Sequence, residues 1–176
     1  MKPTSGKHSA SSSGSPPDLL PPTRLRRGPP EGNQAPSGGR AEPALEQRTR
    51  FIDRCAWSAA LGRALDESGI GFIAHHERFS HDTPDEIWLS AAADKSWLVV
   101  TRDQRIRYRA NELAAMQRAR LHVFVFTQGG LTAAETGSIL VRCHAAMMRQ
   151  AAHVAPPAFF SLTRSGEVKQ LKAGAR

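Results

Sequence analysis

Three aspartates that are far apart in the sequence stand beside predicted strands or helix starts. Asp53 follows the short apolar run Phe51-Ile52, Asp103 comes two residues after the strand residue Thr101, and Asp85 opens a helix. Carboxylates that gather without basic partners repel, so one must hold a proton unless a cation neutralises the group. Mg²⁺ and Mn²⁺ suit a few carboxylates and water molecules. If the side chains converge, the sequence predicts a divalent metal site.

Each of these acidic residues also has a purely structural interpretation. Asp53 can cap the following helix, and Asp103 can cap a helix or close a turn. Asp85 and its neighbour Glu86 lie in a predicted first helical turn, where negative charge is favourable by about 0.3–1 kcal/mol. Taken singly, each residue leaves both interpretations open.

An arginine-rich segment follows the strand of Thr101. If the segment is helical from Asp103 onward, its arginines fall near one face of that helix, beside the acidic residues. These arginines are Arg102, Arg105 and Arg109. Guanidinium groups can hold phosphates in a bidentate manner, and Tyr108 can stack on a base. The alternative is a solvated face that balances the nearby negative charge.

Three histidines form a second cluster of polar residues. The spacing of His75, His76 and His81 matches no zinc signature, and a loop location explains them equally well. They remain candidates for substrate contact.

The elements that position these residues are short apolar runs that alternate with amphipathic segments. Strands are predicted at 51–52, 72–74, 97–101, 121–127 and 159–162, and helices at 56–68, from 84 onward, through 112–118 and from 132 to about 150. Capping boxes are predicted for two helices, with Thr83 and Glu86 in one and Thr132 and Glu135 in the other. The alternation predicts an α/β fold with a mainly parallel sheet, in which ligands bind beyond the carboxyl ends of the strands.

The composition sets one segment apart. Residues 1–48 hold 9 of the 12 prolines and 6 of the 14 glycines, and they contain no Val, Ile, Phe, Trp or Tyr. Such a segment buries too little apolar surface to offset the entropy of ordering. We therefore predict a disordered tail at 1–48 and one folded domain at 49–172.

The net charge of +8 favours a polyanionic partner. Cys55 and Cys143 fit no zinc or redox spacing, which indicates a reducing compartment. No apolar stretch is long enough to cross a bilayer, and none follows the N-terminal lysines as in a secretory signal. These features predict a cytoplasmic protein without membrane contact.

Four stretches together resemble PIN-like domains, and in particular the VapC-type toxins of toxin–antitoxin systems. They are FIDR at 51–54, HDTPDEIWL at 81–89, WLVVTRDQRIRYR at 97–109 and VFVFTQGGLTAAE at 123–135. The resemblance covers roughly residues 50–170. Its specificity comes from the combination of a first-strand Asp, the TPDE helix start and T-x-D after a buried strand.

The resemblance implies a three-layer α/β/α sandwich that hydrolyses single-stranded RNA with Mg²⁺ or Mn²⁺. Carried over by position, it implies Asp53, Asp85 and Asp103 as catalytic metal ligands, with Thr101 in support and Glu86 as the substitute if the helix register shifts. The arginines that would orient the RNA phosphates are Arg102, Arg105, Arg107 and Arg109. An antitoxin protein and a second copy of the chain are the further partners.

One departure from the family pattern bears on the metal count. Many relatives carry a further acid just after T-x-D, where this chain has Arg105-Ile106. Three acids can hold one metal ion and hold a second less securely, so two-metal catalysis is not implied.

Two other interpretations remain open at this point. One is a PIN-like domain that has lost catalysis and serves as an RNA- or protein-binding module. The other is a receiver-like phosphoacceptor, which also places Asp at strand ends. That class needs a Lys after a late strand, and the stretch 127–130 (TQGG) offers none.

Overall fold

The computed structural model describes residues 48–172 of the chain. The strands are β1 Arg50–Ile52, β2 Phe72–Ala74, β3 Leu98–Thr101, β4 His122–Phe126, β5 Ala158–Leu162 and β6 Val168–Leu171. The α-helices are α1 Ala59–Glu67, α2 Asp85–Asp94, α3 Ala110–Ala119 and α4 Ala133–His153, and a short 3₁₀ helix spans His75–Glu77. The predicted disordered tail lies outside the described residues, except for Arg48, so the boundary near residue 48 stays a prediction.

The six strands form one sheet in the order β2-β1-β3-β4-β5-β6. The first five strands are parallel, and β6 pairs antiparallel with β5 as the last arm of a hairpin. The register sets Ile52 of β1 beside Val100 of β3, so these two strands end next to each other. The α/β fold and its mainly parallel sheet are confirmed.

Helices cover both faces of the sheet because both faces of its central strands are apolar. On one face α1 packs against α4, and Leu61, Leu65 and Leu140 lie in the core there. On the other face α2 packs against α3, and Trp88 and Met116 are buried. This arrangement is the three-layer α/β/α sandwich that the resemblance implies.

The start of α2 differs from the prediction. Pro84 has the extended ψ of 144° and is the N-cap, and no side chain caps this helix. The Thr83 hydroxyl instead lies 3.0 Å from that of Ser80. The predicted capping box of Thr83 and Glu86 is therefore wrong, since the helix begins one residue later at Asp85. The second box is confirmed, because Thr132 and Glu135 make both of its hydrogen bonds.

The arginine-rich segment is not helical. Residues 104–108 form turns, and α3 begins only at Ala110. The backbone N–H of Arg105 donates to Oδ1 of Asp103 at 2.8 Å, and such a local side-chain bond competes with helix formation. Ile106 is 2% exposed and anchors the turn in the core. The prediction that Arg102, Arg105 and Arg109 share a helix face is therefore wrong.

The first helix also begins later than predicted, at Ala59 instead of residue 56. The Ser58 hydroxyl accepts a hydrogen bond from the Leu61 N–H at 3.1 Å and caps α1. Asp53 therefore does not cap this helix, and that structural interpretation is wrong. Within residues 48–172, no helix combines the length and apolar character needed to cross a membrane.

Candidate functional site

Asp53 and Thr101 meet at the carboxyl edge of the sheet, where β1 and β3 end. The Asp53 backbone N–H donates to the Val100 carbonyl at 3.0 Å, which continues the pairing of the strands. The Thr101 hydroxyl then donates to Oδ2 of Asp53 at 2.7 Å. Asp53 is 5% exposed and Thr101 is fully buried, so their placement is fixed by the sheet.

Asp103 joins this pair through the same hydroxyl. Its backbone N–H donates to Oγ1 of Thr101 at 3.0 Å. The T-x-D motif thus uses one threonine oxygen to bind the side chain of Asp53 and the backbone of Asp103. The sequence prediction that these two acids lie at one edge of the sheet is consistent with this arrangement.

The side chain of Asp103 has partners of its own. Its Oδ1 accepts from the Arg105 N–H, and its Oδ2 forms an ion pair with Nη1 of Arg109 at 3.0 Å. The Asp103 side chain is 27% exposed and the Arg109 side chain 48% exposed. Asp103 therefore closes a turn, which agrees with the structural interpretation of this residue in the sequence. It also has an arginine counterion.

Asp85 is linked to the edge through Arg54. In the first turn of α2, its Oδ1 accepts from the indole Nε1 of Trp88 at 2.9 Å and from Nη2 of Arg54 at 3.2 Å. Arg54 also donates to the carbonyls of His81 and Thr83 at 2.8 and 3.3 Å. This arginine follows Asp53 directly and holds the loop before α2 against the end of β1. Glu86, the predicted substitute, is exposed in the same helical turn.

Cys55 is a member of the site that the sequence analysis missed. Its thiol donates to Oδ2 of Asp53 at 2.8 Å and lies 3.2 Å from Oγ1 of Thr101. The Arg102 N–H donates to its sulfur at 3.3 Å. Burial of the thiol, together with the charge and hydrogen bond of Asp53, raises the pKa of Cys55 to about 11. The thiol is therefore a protonated donor at neutral pH. The sequence signal that could have identified Cys55 is its D-x-C spacing from Asp53, directly after a strand.

The four candidate arginines occupy the turn that follows β3. Arg102 donates from Nη2 to the Leu131 carbonyl at 3.3 Å, whereas Arg105 is exposed. The Arg107 guanidinium lies 4.4 Å from the ring centroid of Tyr108, over one face of the tyrosine that was a candidate for base stacking.

The three histidines have different surroundings and do not form a cluster of side chains. His75 is 1% exposed, and burial lowers its pKa. The ring of His76 lies 5.0 Å from that of Trp57, and His81 offers its carbonyl to Arg54. Among the side chains that the structure describes, no group of three His, Cys, Asp or Glu is placed to hold a metal ion.

The described residues therefore do not form the three-carboxylate cluster that the sequence predicts. The premise of unpaired acids is wrong for Asp85 and Asp103, because each has an arginine counterion. A smaller donor set remains. Asp53 and Asp103 flank one hydroxyl at the edge, and Mg²⁺ commonly takes one or two carboxylates and completes its shell with water and substrate phosphate. Asp53 and Asp103 are therefore the two predicted ligands that the described residues bring to one hydroxyl, and Asp85 is set apart by its ion pair with Arg54.

Comparison with known proteins agrees with this architecture. Residues 49–128 match the family model described as PIN like domain, and the match runs from just before β1 to just after β4. It therefore includes Asp53, Asp85, Thr101 and Asp103. No curated protein and no solved structure matches the chain. Domains of this family are generally nucleases that use divalent metal ions. The match supports a PIN-like domain over residues 49–128 of the chain.

Proposed function

We propose that this domain is a metal-dependent ribonuclease that cleaves single-stranded RNA at the carboxyl edge of its sheet. The observation that carries the proposal is the shared hydroxyl of Thr101, which binds Oδ2 of Asp53 and the backbone N–H of Asp103. Two acidic residues from distant stretches of chain thus stand at one edge, where open α/β sheets bind ligands.

Asp53 and Asp103 are the residues that would hold Mg²⁺ or Mn²⁺. A divalent ion bound there would lower the pKa of a water molecule and stabilise charge on a phosphodiester. Thr101 is a positioning residue, since its hydroxyl fixes the Asp53 carboxylate. The Cys55 thiol donates to the same carboxylate oxygen and so adds a second constraint on its orientation.

The arginines supply charge for an anionic substrate. Arg109 pairs with Asp103, but 48% of its side chain is exposed, so an RNA phosphate can compete for its guanidinium. Transfer of Arg109 to a phosphate would leave Oδ2 of Asp103 without its ion pair. RNA binding and completion of the acidic site are coupled in this proposal.

The test is cleavage of a labelled single-stranded RNA in Mg²⁺ or Mn²⁺, with and without a chelator. We expect cleavage that the chelator abolishes and that Asp103→Asn reduces by at least about 100-fold, because the nuclease activity needs the carboxylate charge. The matched control is Asp94→Asn, which changes an exposed acid at the last residue of α2, the end opposite Asp85. Undiminished cleavage by Asp103→Asn would overturn the proposal.

A specific observation favours a second candidate, an RNA-binding module without catalysis. Arg54 and Arg109 neutralise two of the three acids at 3.2 and 3.0 Å, as they would in a site that never takes up metal. This candidate predicts RNA binding that does not respond to Mn²⁺ and no cleavage in either metal. Both candidates bind RNA, so cleavage by the wild type decides between them.

The toxin role and its partners extend the proposal. If the chain is the toxin of a toxin–antitoxin pair, its expression arrests growth and Asp53→Asn relieves the arrest. An antitoxin protein would bind the folded domain and restore growth without any change in the toxin sequence. Homodimer formation is a separate part of the proposal, and the molar mass in solution tests it.

A further inference from the structure

An open pocket of about 450 Å³ lies beside the acidic edge. It is lined by Arg54, Cys55, Trp57, His76 and His81. We propose that this pocket, here called the base pocket, receives one base of a single-stranded RNA and that Arg54 contacts the adjoining phosphate. The inference rests on the proposed function, because it assigns a subsite to the same RNA substrate.

The aromatic wall of the base pocket is held in place before any ligand binds. The Trp57 ring lies 5.0 Å from His76 and 5.7 Å from Phe72, which is buried behind it. Its edge packs directly on Gly62, where an added Cβ would lie 2.6 Å from Cη2 of Trp57. A ring fixed in this way loses little freedom when a base stacks on it.

The lining chemistry suits a base and its phosphate. An indole offers a stacking face to any base, which makes the recognition tolerant of sequence. The imidazoles of His76 and His81 can donate to or accept from the polar edge of a base. None of the five lining residues is acidic. Arg54 is paired with Asp85 at 3.2 Å, but 36% of its side chain is exposed, so an RNA phosphate can compete for its guanidinium.

The base pocket and the acidic edge share a wall. Cys55 lines the pocket, and its thiol donates to Oδ2 of Asp53 at 2.8 Å. Arg54 follows Asp53 in the chain, and its guanidinium is fixed by the carbonyls of His81 and Thr83 while 36% of the side chain stays exposed. A base in the pocket therefore places its own phosphate next to the edge that carries the nuclease proposal.

The experiment is binding of a fluorescent single-stranded RNA decamer, followed by anisotropy, in an Asp103→Asn background that keeps the RNA intact. We expect Trp57→Leu to weaken binding by about 5- to 150-fold, the range of one base–aromatic stack. Trp57→Phe should keep most of the affinity, since a stacking face remains. Trp97→Leu is the matched control, because Trp97 stacks on Phe51 and does not line the pocket.

Two further variants guard against a misfolded Trp57→Leu. His76→Ala changes an exposed side chain and should weaken binding with no change in the thermal midpoint. Gly62→Ala should push Trp57 into the pocket and weaken binding of RNA but not of inorganic polyphosphate, which has no base. If the wild type binds RNA and these variants bind it equally well, the base-pocket proposal is overturned and the proposed function is not affected. A wild type that does not bind RNA overturns the proposed function as well.

Discussion

The thiol of Cys55 donates a hydrogen bond to Oδ2 of Asp53 at 2.8 Å, the same oxygen that the Thr101 hydroxyl reaches at 2.7 Å. One carboxylate oxygen at the end of β1 thus accepts from two side chains. The relationship gives the acidic edge a built-in reporter, because the thiol responds to the charge of Asp53.

The first prediction uses that reporter. Burial and the Asp53 charge raise the pKa of Cys55 to about 11, so at pH 8 the thiol is almost entirely protonated. Asp53→Asn removes the charge and should raise the alkylation rate of Cys55 by about three- to tenfold, since the thiolate is the nucleophile. The measurement is iodoacetamide labelling in a Cys143→Ser background. Equal rates in both proteins would contradict the Cys55–Asp53 contact.

The same raised pKa predicts a pH dependence of stability. The folded protein binds the thiol proton more tightly than the unfolded chain, whose cysteine has the ordinary value of 9.0. The stabilisation is complete below pH 9 and is lost as the pH rises through about 11. Cys55→Ser should therefore lose less stability than the wild type between these pH values in urea unfolding. Parallel curves for the two proteins would refute the prediction.

Thr101→Val removes the hydroxyl that joins Asp53 to Asp103 while keeping the shape of a fully buried side chain. Because a buried carboxylate and an N–H lose a partner, the free energy of unfolding should fall by about 1–3 kcal/mol. RNA cleavage should fall by about 10- to 100-fold, as for the loss of other groups that orient metal ligands. Thr101→Ser should restore both quantities. If the serine variant fails to do so, the hydroxyl is not the group that matters.

Arg109→Gln should strengthen Mn²⁺ binding in the absence of RNA. The ion pair with Asp103 is partly exposed, and such pairs contribute about 0.2–1 kcal/mol, so the expected gain is at most about fivefold in affinity. Arg164→Gln is the matched control, because Arg164 forms an ion pair at 3.3 Å with a different acid, Glu135 of α4. Titration calorimetry measures the affinity. Weaker Mn²⁺ binding by Arg109→Gln would show that the arginine does not compete with metal.

A stability prediction tests the packing of α1 against α4. At Gly137, an added Cβ would lie 2.9 Å from that of Ala64 and 3.2 Å from the backbone of Leu61. Gly137→Ala should destabilise the domain by about 1–3 kcal/mol because the helices must move apart. Gly129→Ala, where an added Cβ meets nothing within 4 Å, should stay within about 0.5 kcal/mol of the wild type in urea unfolding. Equal effects would mean that the helices are not closely packed.

Much of the fold could be predicted from the sequence because its signals are local. The continuous apolar runs of β3 and β4 predicted parallel strands, and the spacing of Thr132 and Glu135 predicted the start of α4. The segment after β3 misled the prediction, because its arginines suit a helix while Ile106 is pulled into the core. Burial of that one residue depends on tertiary packing, which helical spacing does not encode.

The site could be predicted only in part, for the same reason. The T-x-D motif placed Thr101 and Asp103 beside Asp53, since neighbouring parallel strands end together. The ion pair of Arg54 with Asp85 joins residues 31 positions apart and depends on how the loop before α2 folds back. The role of Cys55 depends on a sulfur–carboxylate contact beyond the end of the strand, which no spacing rule for metal or redox cysteines covers.

The most direct test of the proposed ribonuclease site compares the wild type with Asp53→Asn in single-turnover cleavage of single-stranded RNA. Prior binding measurements set equal RNA occupancies for the two proteins. We predict that the variant binds RNA within about threefold of the wild type and cleaves it at least about 100-fold more slowly in Mg²⁺ or Mn²⁺. Cleavage at the same rate in both proteins would contradict the assignment of this edge as the catalytic site.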